Sequence, residues 1–450
     1  MQIVVLLPML VCIVMLFRWP LPKVFLNIFL PAFIFIPSYY YWKVATLPPI
    51  NLAAAVLLPL GIGVLIKLLP RWRFTTMDIW MAAYLVSTYV ADKHSKHDTA
   101  AVFDLFNAVV EGFVPYMLGK LLIEQSNIRI QTARRLVALM AICCIVSQYE
   151  YRMAENPFTI LWHRFFPDEA FAWKTQIRWG FGRVSGPWGQ SELAGIIIIF
   201  TLMMAIWVGY AHPWREKFAA FPHHPFLKRT LLFGLLAFFL FSTQARGPWL
   251  GCIIALPIAL VGKSRHILRN SILLACILVP VGAGAYTFAK LYTSGSAASN
   301  EQQTAQYRSQ LIDNYVPVAR LGGAWGWGQD FPRVEGQESI DNEYLFVWLI
   351  QGWVGAVAFC LLAGESVLRT ILAAIHAPTP QDRFFAFTFL GALVGMLLTI
   401  TTVFLGNQTY QLFFLLAGWS QVMNTAPRHA APQHVAPQHE KQLTFANVLT

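Results

Sequence analysis

Charge is what this chain has least of: 12% of its 450 residues are Asp, Glu, Lys or Arg, against 57% hydrophobic residues. That is about half the charged share of an ordinary soluble domain, which excludes a string of soluble domains. Cysteine is scarce as well. All 6 (Cys12, Cys143, Cys144, Cys252, Cys276 and Cys360) fall inside apolar runs, so no disulfide or metal framework is implied. There is no Walker A loop, no dinucleotide fingerprint, no HExxH and no convincing DxD pair, which leaves ATP, NAD and zinc chemistry unsupported; Asp168-Glu169 alone is a weak metal signal. The reading therefore expects no cofactor and no metal. A solenoid-length repeat and a matching pair of broken helices are both missing, which weighs against a carrier.

What the chain does have is apolar runs close to the roughly 20 residues that cross a hydrocarbon core. They lie at approximately 2–17, 24–40, 50–69, 77–91, 101–123, 132–149, 191–210, 230–244, 247–262, 271–289, 344–364, 384–404 and 409–423. The expected fold is an all-α polytopic membrane protein with about 12–13 transmembrane helices and two long outer-face loops carrying short interfacial helices. Its segments are N-terminal transmembrane helices (1–149), an outer amphipathic loop (150–190), central transmembrane helices with an edge turn at 245–247 (191–289), a large outer loop (290–343), C-terminal transmembrane helices (344–423) and a disordered cytoplasmic tail (424–450). The first run has neither a basic start nor a small-residue cleavage site, and is read as retained. The tail repeats Ala-Pro-Gln-His at 431–434 and 436–439 and reads as linker.

Lys and Arg are held back on the cytoplasmic side, and one orientation maximises that bias. It places inside Arg18 with Lys23, Arg71 with Arg73, Arg129 with Arg134 and Arg135, Arg215 through Arg229, and Lys263 with Arg265 and Arg269. Of 33 Lys and Arg, roughly 20 then lie inside and roughly 13 outside. Basic loops facing anionic lipid account for the net charge of +11 without any nucleic-acid partner.

Both long outer loops exceed ordinary loop length. In the first, Phe158, Leu161, Trp162, Phe165, Phe166, Trp173 and Trp179 alternate with His163, Arg164, Asp168, Glu169, Lys174 and Arg178, as in a segment lying in the interface; an aromatic belt and a lid over a lipid-linked substrate both fit. It closes on Arg183-Val184-Ser185-Gly186-Pro187-Trp188-Gly189-Gln190, a tight glycine-proline turn with Ser191 placed to cap the next helix. At Ser242-Thr243-Gln244-Ala245-Arg246-Gly247 two apolar runs meet with almost no loop, which holds Arg246 at the membrane edge. A guanidinium there is a functional candidate, with snorkelling to lipid phosphates as the alternative. The second loop opens with the small polar stretch Ser294 to Asn300 and continues through a helical stretch with Tyr307, Arg308, Leu311, Tyr315 and Arg320. Next comes Gly322-Gly323-Ala324-Trp325-Gly326-Trp327-Gly328, permissive of close backbone approach and with flat faces suited to sugar rings. It ends at Asp341-Asn342-Glu343-Tyr344, where Asp341 can cap the following helix and Glu343 can answer its dipole.

Outer-face arginines suit bidentate binding of a phosphate or diphosphate. A carboxylate beside them can take the proton of an acceptor hydroxyl while the arginines stabilise a departing diphosphate, which is glycosyl transfer from a lipid diphosphate. Together these residues resemble the O-antigen ligase and polymerase superfamily, bacterial membrane enzymes acting on undecaprenyl-diphosphate-linked glycans at the periplasmic face. The resemblance runs from about Arg183 to Gly355. It rests on the Arg183-Val184-Ser185-Gly186 turn, the Ser242-to-Gly247 corner, the loop with Arg308, the Trp325-Gly326-Trp327-Gly328 run, and Asp341-Asn342-Glu343-Tyr344-Leu345 ahead of Gly352 and Gly355.

The resemblance implies a metal-independent glycosyltransferase of the bacterial inner membrane. Asp341, Arg246 and Arg308 would be catalytic, and Arg183, Arg320, Trp325, Trp327, Asn342 and Tyr344 would bind substrate. In the family's lipopolysaccharide ligases a His stands where this chain has Asp341, so the polymerase branch is favoured, joining oligosaccharide repeats into O-antigen or exopolysaccharide. The implied partners are the lipid-linked oligosaccharide, a glycan acceptor, a chain-length regulator and membrane lipids. A ligase delivering glycan to lipid A core or protein, and a flippase or transporter, are the competing readings. Asp78, Asp104 and Glu111 inside the runs keep transport open.

Overall fold

The computed structural model describes every residue except 1, 45, 167–173, 212–224, 295–299, 338 and 425–450. Hydrocarbon offers no water to satisfy backbone N–H and C=O groups, so apolar runs fold as helices, which satisfy them internally. In order these are α1 (Leu6–Arg18), α2 (Leu21–Phe35), α3 (Leu52–Leu68), α4 (Thr76–His94), α5 (Asp98–Ile123), α6 (Arg129–Met153), α7 (Pro157–His163), α8 (Ser191–Ala211), α9 (Pro225–Ser242), α10 (Arg246–Val261), α11 (Ile267–Tyr292), α12 (Asn300–Leu321), α13 (Glu343–Ile375), α14 (Pro380–Thr399) and α15 (Asn407–Ser420). The described residues also form two small antiparallel hairpins: β1 (Tyr41–Val44) with β2 (Leu47–Asn51), and β3 (Ile177–Arg178) with β4 (Phe181–Gly182).

The protein is an all-α polytopic membrane protein, and most of each apolar run expected from hydropathy falls on a helix, with ends such as 36–40, 50–51, 400–404 and 421–423 outside one. Among the described residues, 7 helices are long and apolar enough to cross a membrane. Others are apolar but short: α10 has 16 residues, a reach of roughly 24 Å against a core of roughly 30 Å. The expectation of 12–13 complete crossings is thus sharpened to 7 full-length helices, with α1, α2, α9 and α10 as shorter apolar ones. Asp168, Glu169, Trp173, Arg215, most of the Ser294-to-Asn300 stretch and the tail beyond Asn424 lie outside the described residues.

One close helix crossing helps place the site. Where α10 crosses α14, a Cβ on Gly251 would lie 2.5 Å from the Gly395 carbonyl oxygen, and one on Gly391 would lie 2.5 Å from that of Ala255. Only glycine admits this approach, the usual way membrane helices gain contact when lipid is as apolar as the core. The crossing brings the start of α10 against the turn after α14, where a Cβ on Gly247 would stand 2.3 Å from Thr402 Oγ1.

The three acids expected inside the runs, Asp78, Asp104 and Glu111, are each partnered. Lys120 Nζ lies 2.6 Å from Asp78, which also closes a capping box with Thr75 at the start of α4. Asp104 accepts from Gln329 Nε2 at 2.6 Å, and Glu111 accepts from Asn51 Nδ2. The two acidic residues on one face of α5 therefore serve different neighbours.

Candidate active site

One wall of the site is built on a carboxylate. Glu150, buried near the end of α6, accepts from the backbone N–H of Ser185 (3.0 Å) and Gly186 (2.8 Å), from the hydroxyls of Ser185 (2.7 Å) and Thr175 (2.9 Å), and from Asn156 Nδ2 (3.3 Å). A carboxylate offers about four lone-pair positions, and this one gathers both ends of the first long loop onto α6. The β3–β4 hairpin is latched to the Ser242–Arg246 corner, with Arg178 Nη1 on the Gln244 carbonyl at 2.8 Å and Val184 N–H on the Ser242 carbonyl at 3.1 Å. Gln244 in that corner has φ 50° and is buried, an uncommon backbone for a residue with a side chain.

The opposite wall is held by an apolar core. Leu311, Tyr315 and Ala319 of α12 pack with Ile340, Leu345 and Leu349 into a small buried core. Tyr307 and Tyr315 donate their hydroxyls to the carbonyls of Ser339 (2.9 Å) and Gln337 (3.0 Å). Arg308, one residue from Tyr307, is thereby held beside the Ser339–Asp341 strand. Beneath lies a backbone insertion: Trp327 N–H donates to the Leu349 carbonyl at 2.9 Å, and Val354 N–H to the Ala324 carbonyl at 3.2 Å. It interrupts α13 at Gly352, whose φ of 67° and ψ of −169° are open only to glycine.

Between the walls is a cleft of about 430 Å³, lined by Lys174, Arg178, Arg183, Glu192, Arg308 and Asp341 with Ser185, Gln190, Ser339 and Thr402 among the polar remainder. Arg183, 8% exposed, is fixed: it pairs with Glu192 at 2.5 Å and donates to Gln176 and to the Thr243 carbonyl. Asp341 accepts from Ser339 Oγ at 2.7 Å. Among the described residues, Asp341, Arg308 and Lys174 have no ion-pair partner, and Arg308 Nε is buried with no acceptor. The cleft thus carries four cationic side chains against two carboxylates, a surplus suited to an anion.

The residues singled out in the sequence separate into two groups. Arg183, Arg308 and Asp341 line the cleft together, although they come from two long loops more than about 100 residues apart. Arg246, exposed at the start of α10, sits next to Gly247 and so beside the Thr402 edge of the cleft, outside its lining. Arg320 is exposed at the end of α12. Trp327 is committed to the fold, its indole donating to the Val318 carbonyl at 2.8 Å, and neither it nor Trp325 lines the cleft. Asn342 caps α13 by accepting from Leu345 N–H at 3.1 Å, which leaves Asp341 free of that role. Tyr344 donates to the Leu397 carbonyl at 3.2 Å, and Glu343 accepts from Leu405 N–H at 2.6 Å, tying α13 to the turn after α14. Ser191 opens α8 instead of preceding it, and its hydroxyl donates to Glu192. Glu150 and Glu192 were not singled out. A carboxylate at a helix end just before a long loop is the sequence signal for the first, and an acid at the start of the helix that follows the Arg183 turn for the second.

Residues 231–360 match the family model described as O-antigen ligase. Over that stretch the chain matches the O-antigen ligase/polymerase superfamily. The matched residues include the α10 corner with Arg246, the whole of α12 with Arg308, and Asp341; Arg183 lies before them. No curated protein matches the chain. The O-antigen ligase match supports a glycosyltransferase-type membrane enzyme acting on lipid-linked glycans.

Proposed function

We propose that the cleft transfers a glycan from undecaprenyl diphosphate to the end of another lipid-linked oligosaccharide, polymerising repeats on the outer face of the bacterial inner membrane. The observation that carries this is the presence in one cleft at the helix ends of a carboxylate, Asp341, and a guanidinium, Arg308, neither of which has an ion-pair partner among the described residues. Asp341 takes the proton of the acceptor hydroxyl as that oxygen attacks the anomeric carbon. The anomeric carbon–oxygen bond to the diphosphate breaks, and undecaprenyl diphosphate leaves with the electron pair. Arg308, with Lys174 and Arg178, receives the developing charge, and Arg246 at the rim meets the lipid-side phosphate. Arg183 is held by Glu192 and positions the wall. The chain-length regulator and the sugar identities are further expectations of this reading.

Complementation of a polymerase-deficient strain tests it, with Asp341→Ala, Arg308→Ala and Arg246→Ala beside the unsubstituted protein and membrane levels checked. The expected result is loss of the glycan ladder in the Asp341 and Arg308 variants at normal protein levels. Normal ladders in both would remove the site assignment. Because the matching family model is described as O-antigen ligase, transfer of a finished glycan to lipid A core is the second reading. It would show as loss of one capped product with ladder length unchanged.

A further inference from the structure

A second cavity, of about 590 Å³, is walled by Arg71, Arg73, Lys120, Arg369, Gln125 and Gln421, with Trp72 beside them. It lies at the far end of the bundle from the cleft. Helix α13 starts beside Asp341 at residue 343 and reaches this cavity at residue 369, a run on the order of 40 Å at 1.5 Å per residue, more than a hydrocarbon core is thick.

The charges of this cavity do not cancel. Lys120 is paired with Asp78 at 2.6 Å and stands 4.5 Å over the Trp72 ring, and Arg369 is paired with Glu365 at 2.6 Å. Arg71 and Arg73 are exposed, and among the described residues their side chains have no ion-pair or hydrogen-bond partner. Among the described residues no carboxylate lines the cavity. Two further groups wait for partners: Gln125 Oε1, an acceptor, and Gln421 Nε2, a donor, are both buried with none. A ligand that satisfies this set carries a negative charge, at least one acceptor oxygen besides it and a hydroxyl. The neighbours of the two arginines point to its source. Leu69 and Phe74, 51% and 72% exposed, flank them and give acyl chains an apolar surface at the level where the charge must be met.

We infer that this cavity binds the head group of an anionic glycerophospholipid, its phosphate held by Arg71 and Arg73 and its head-group hydroxyl and ester oxygens by Gln125 and Gln421. Basic pockets between helix ends are a recurrent solution for anionic head groups.

Native mass spectrometry of the full chain in neutral detergent tests the inference, with phosphatidylglycerol, phosphatidylcholine and inorganic phosphate titrated separately. Phosphatidylglycerol is expected to bind in preference to phosphatidylcholine. The double variant Arg71→Gln/Arg73→Gln, which alters only exposed and unpaired side chains, should weaken that binding roughly thirtyfold if each arginine contributes as basic residues do at an anionic membrane surface. Exposed Arg135→Gln, near the start of α6, should leave it unchanged. Equal binding by the double variant, or of phosphatidylcholine and phosphatidylglycerol alike, overturns the inference. Tight binding of inorganic phosphate without phosphatidylglycerol also overturns it, in favour of a soluble anion.

Discussion

The two long loops that make the cleft are held by opposite physics. The first, from Glu150 to Gln190, hangs on one buried carboxylate that receives five donors. The second, from Leu291 to Asp341, hangs on a six-residue apolar core and a glycine-only backbone insertion into α13. Polar anchoring depends on one carboxyl group being aimed at its donors, whereas apolar anchoring is spread over many contacts. The first loop should therefore fail locally and the second only together with the helix beneath it.

The largest effect is expected from Gly352→Ala. A Cβ there would lie 2.4 Å from the Ala324 carbonyl oxygen in a φ/ψ region closed to alanine, so the cost exceeds the roughly 1–3 kcal/mol of an ordinary strained residue. Detergent-solubilised protein should be lost from the monodisperse peak in size-exclusion chromatography. Next comes Leu311→Ala, which empties part of the apolar core and should cost about 3 kcal/mol, read as a lowered unfolding midpoint of the whole protein. Glu150→Gln should cost about 2 kcal/mol, because the amide nitrogen that replaces one oxygen meets a donor in either orientation, the Ser185 and Gly186 N–H groups or Asn156 Nδ2. Its mark is local: faster tryptic cleavage at Lys174 and Arg178 with the unfolding midpoint of the bundle little changed. If Glu150→Gln and Leu311→Ala gave the same proteolysis pattern, the contrast between the loops would be wrong. The smallest effect is expected from Lys174→Gln, an exposed and unpaired cleft residue, whose stability should shift by less than about 0.5 kcal/mol while transfer weakens.

The same contrast explains what could be read in advance. Hydropathy finds helices because burial of the backbone in lipid is a local demand, and the apolar runs from Leu6 to Ser420 all answer it. The arginines of the outer loops were visible for a similar reason, since charge placement is written residue by residue. Long-range partners were not. The Trp325-to-Gly328 run reads as a flat sugar platform; in the fold its Gly326 meets the backbone of Ile350 and Gly352 and its Gly328 meets Ala91, Asp92 and Ser95 at the end of α4, which sequence spacing does not reveal. Asp341 and Asn342 are adjacent acceptors at a helix start; only the fold shows that Asn342 is the cap and Asp341 turns to the cleft. Glu150 finds donors 35 and 36 residues away, beyond any local pattern.

The most direct test of the account is transfer by the purified protein in lipid nanodiscs supplied with an undecaprenyl-diphosphate-linked oligosaccharide, comparing the unsubstituted chain with Asp341→Asn. That variant keeps the shape of the site and removes the base. The account predicts elongated product from the first and a rate lower by about 10²–10⁴ in the second, with binding of the lipid diphosphate preserved. Elongation at an equal rate by Asp341→Asn would contradict it.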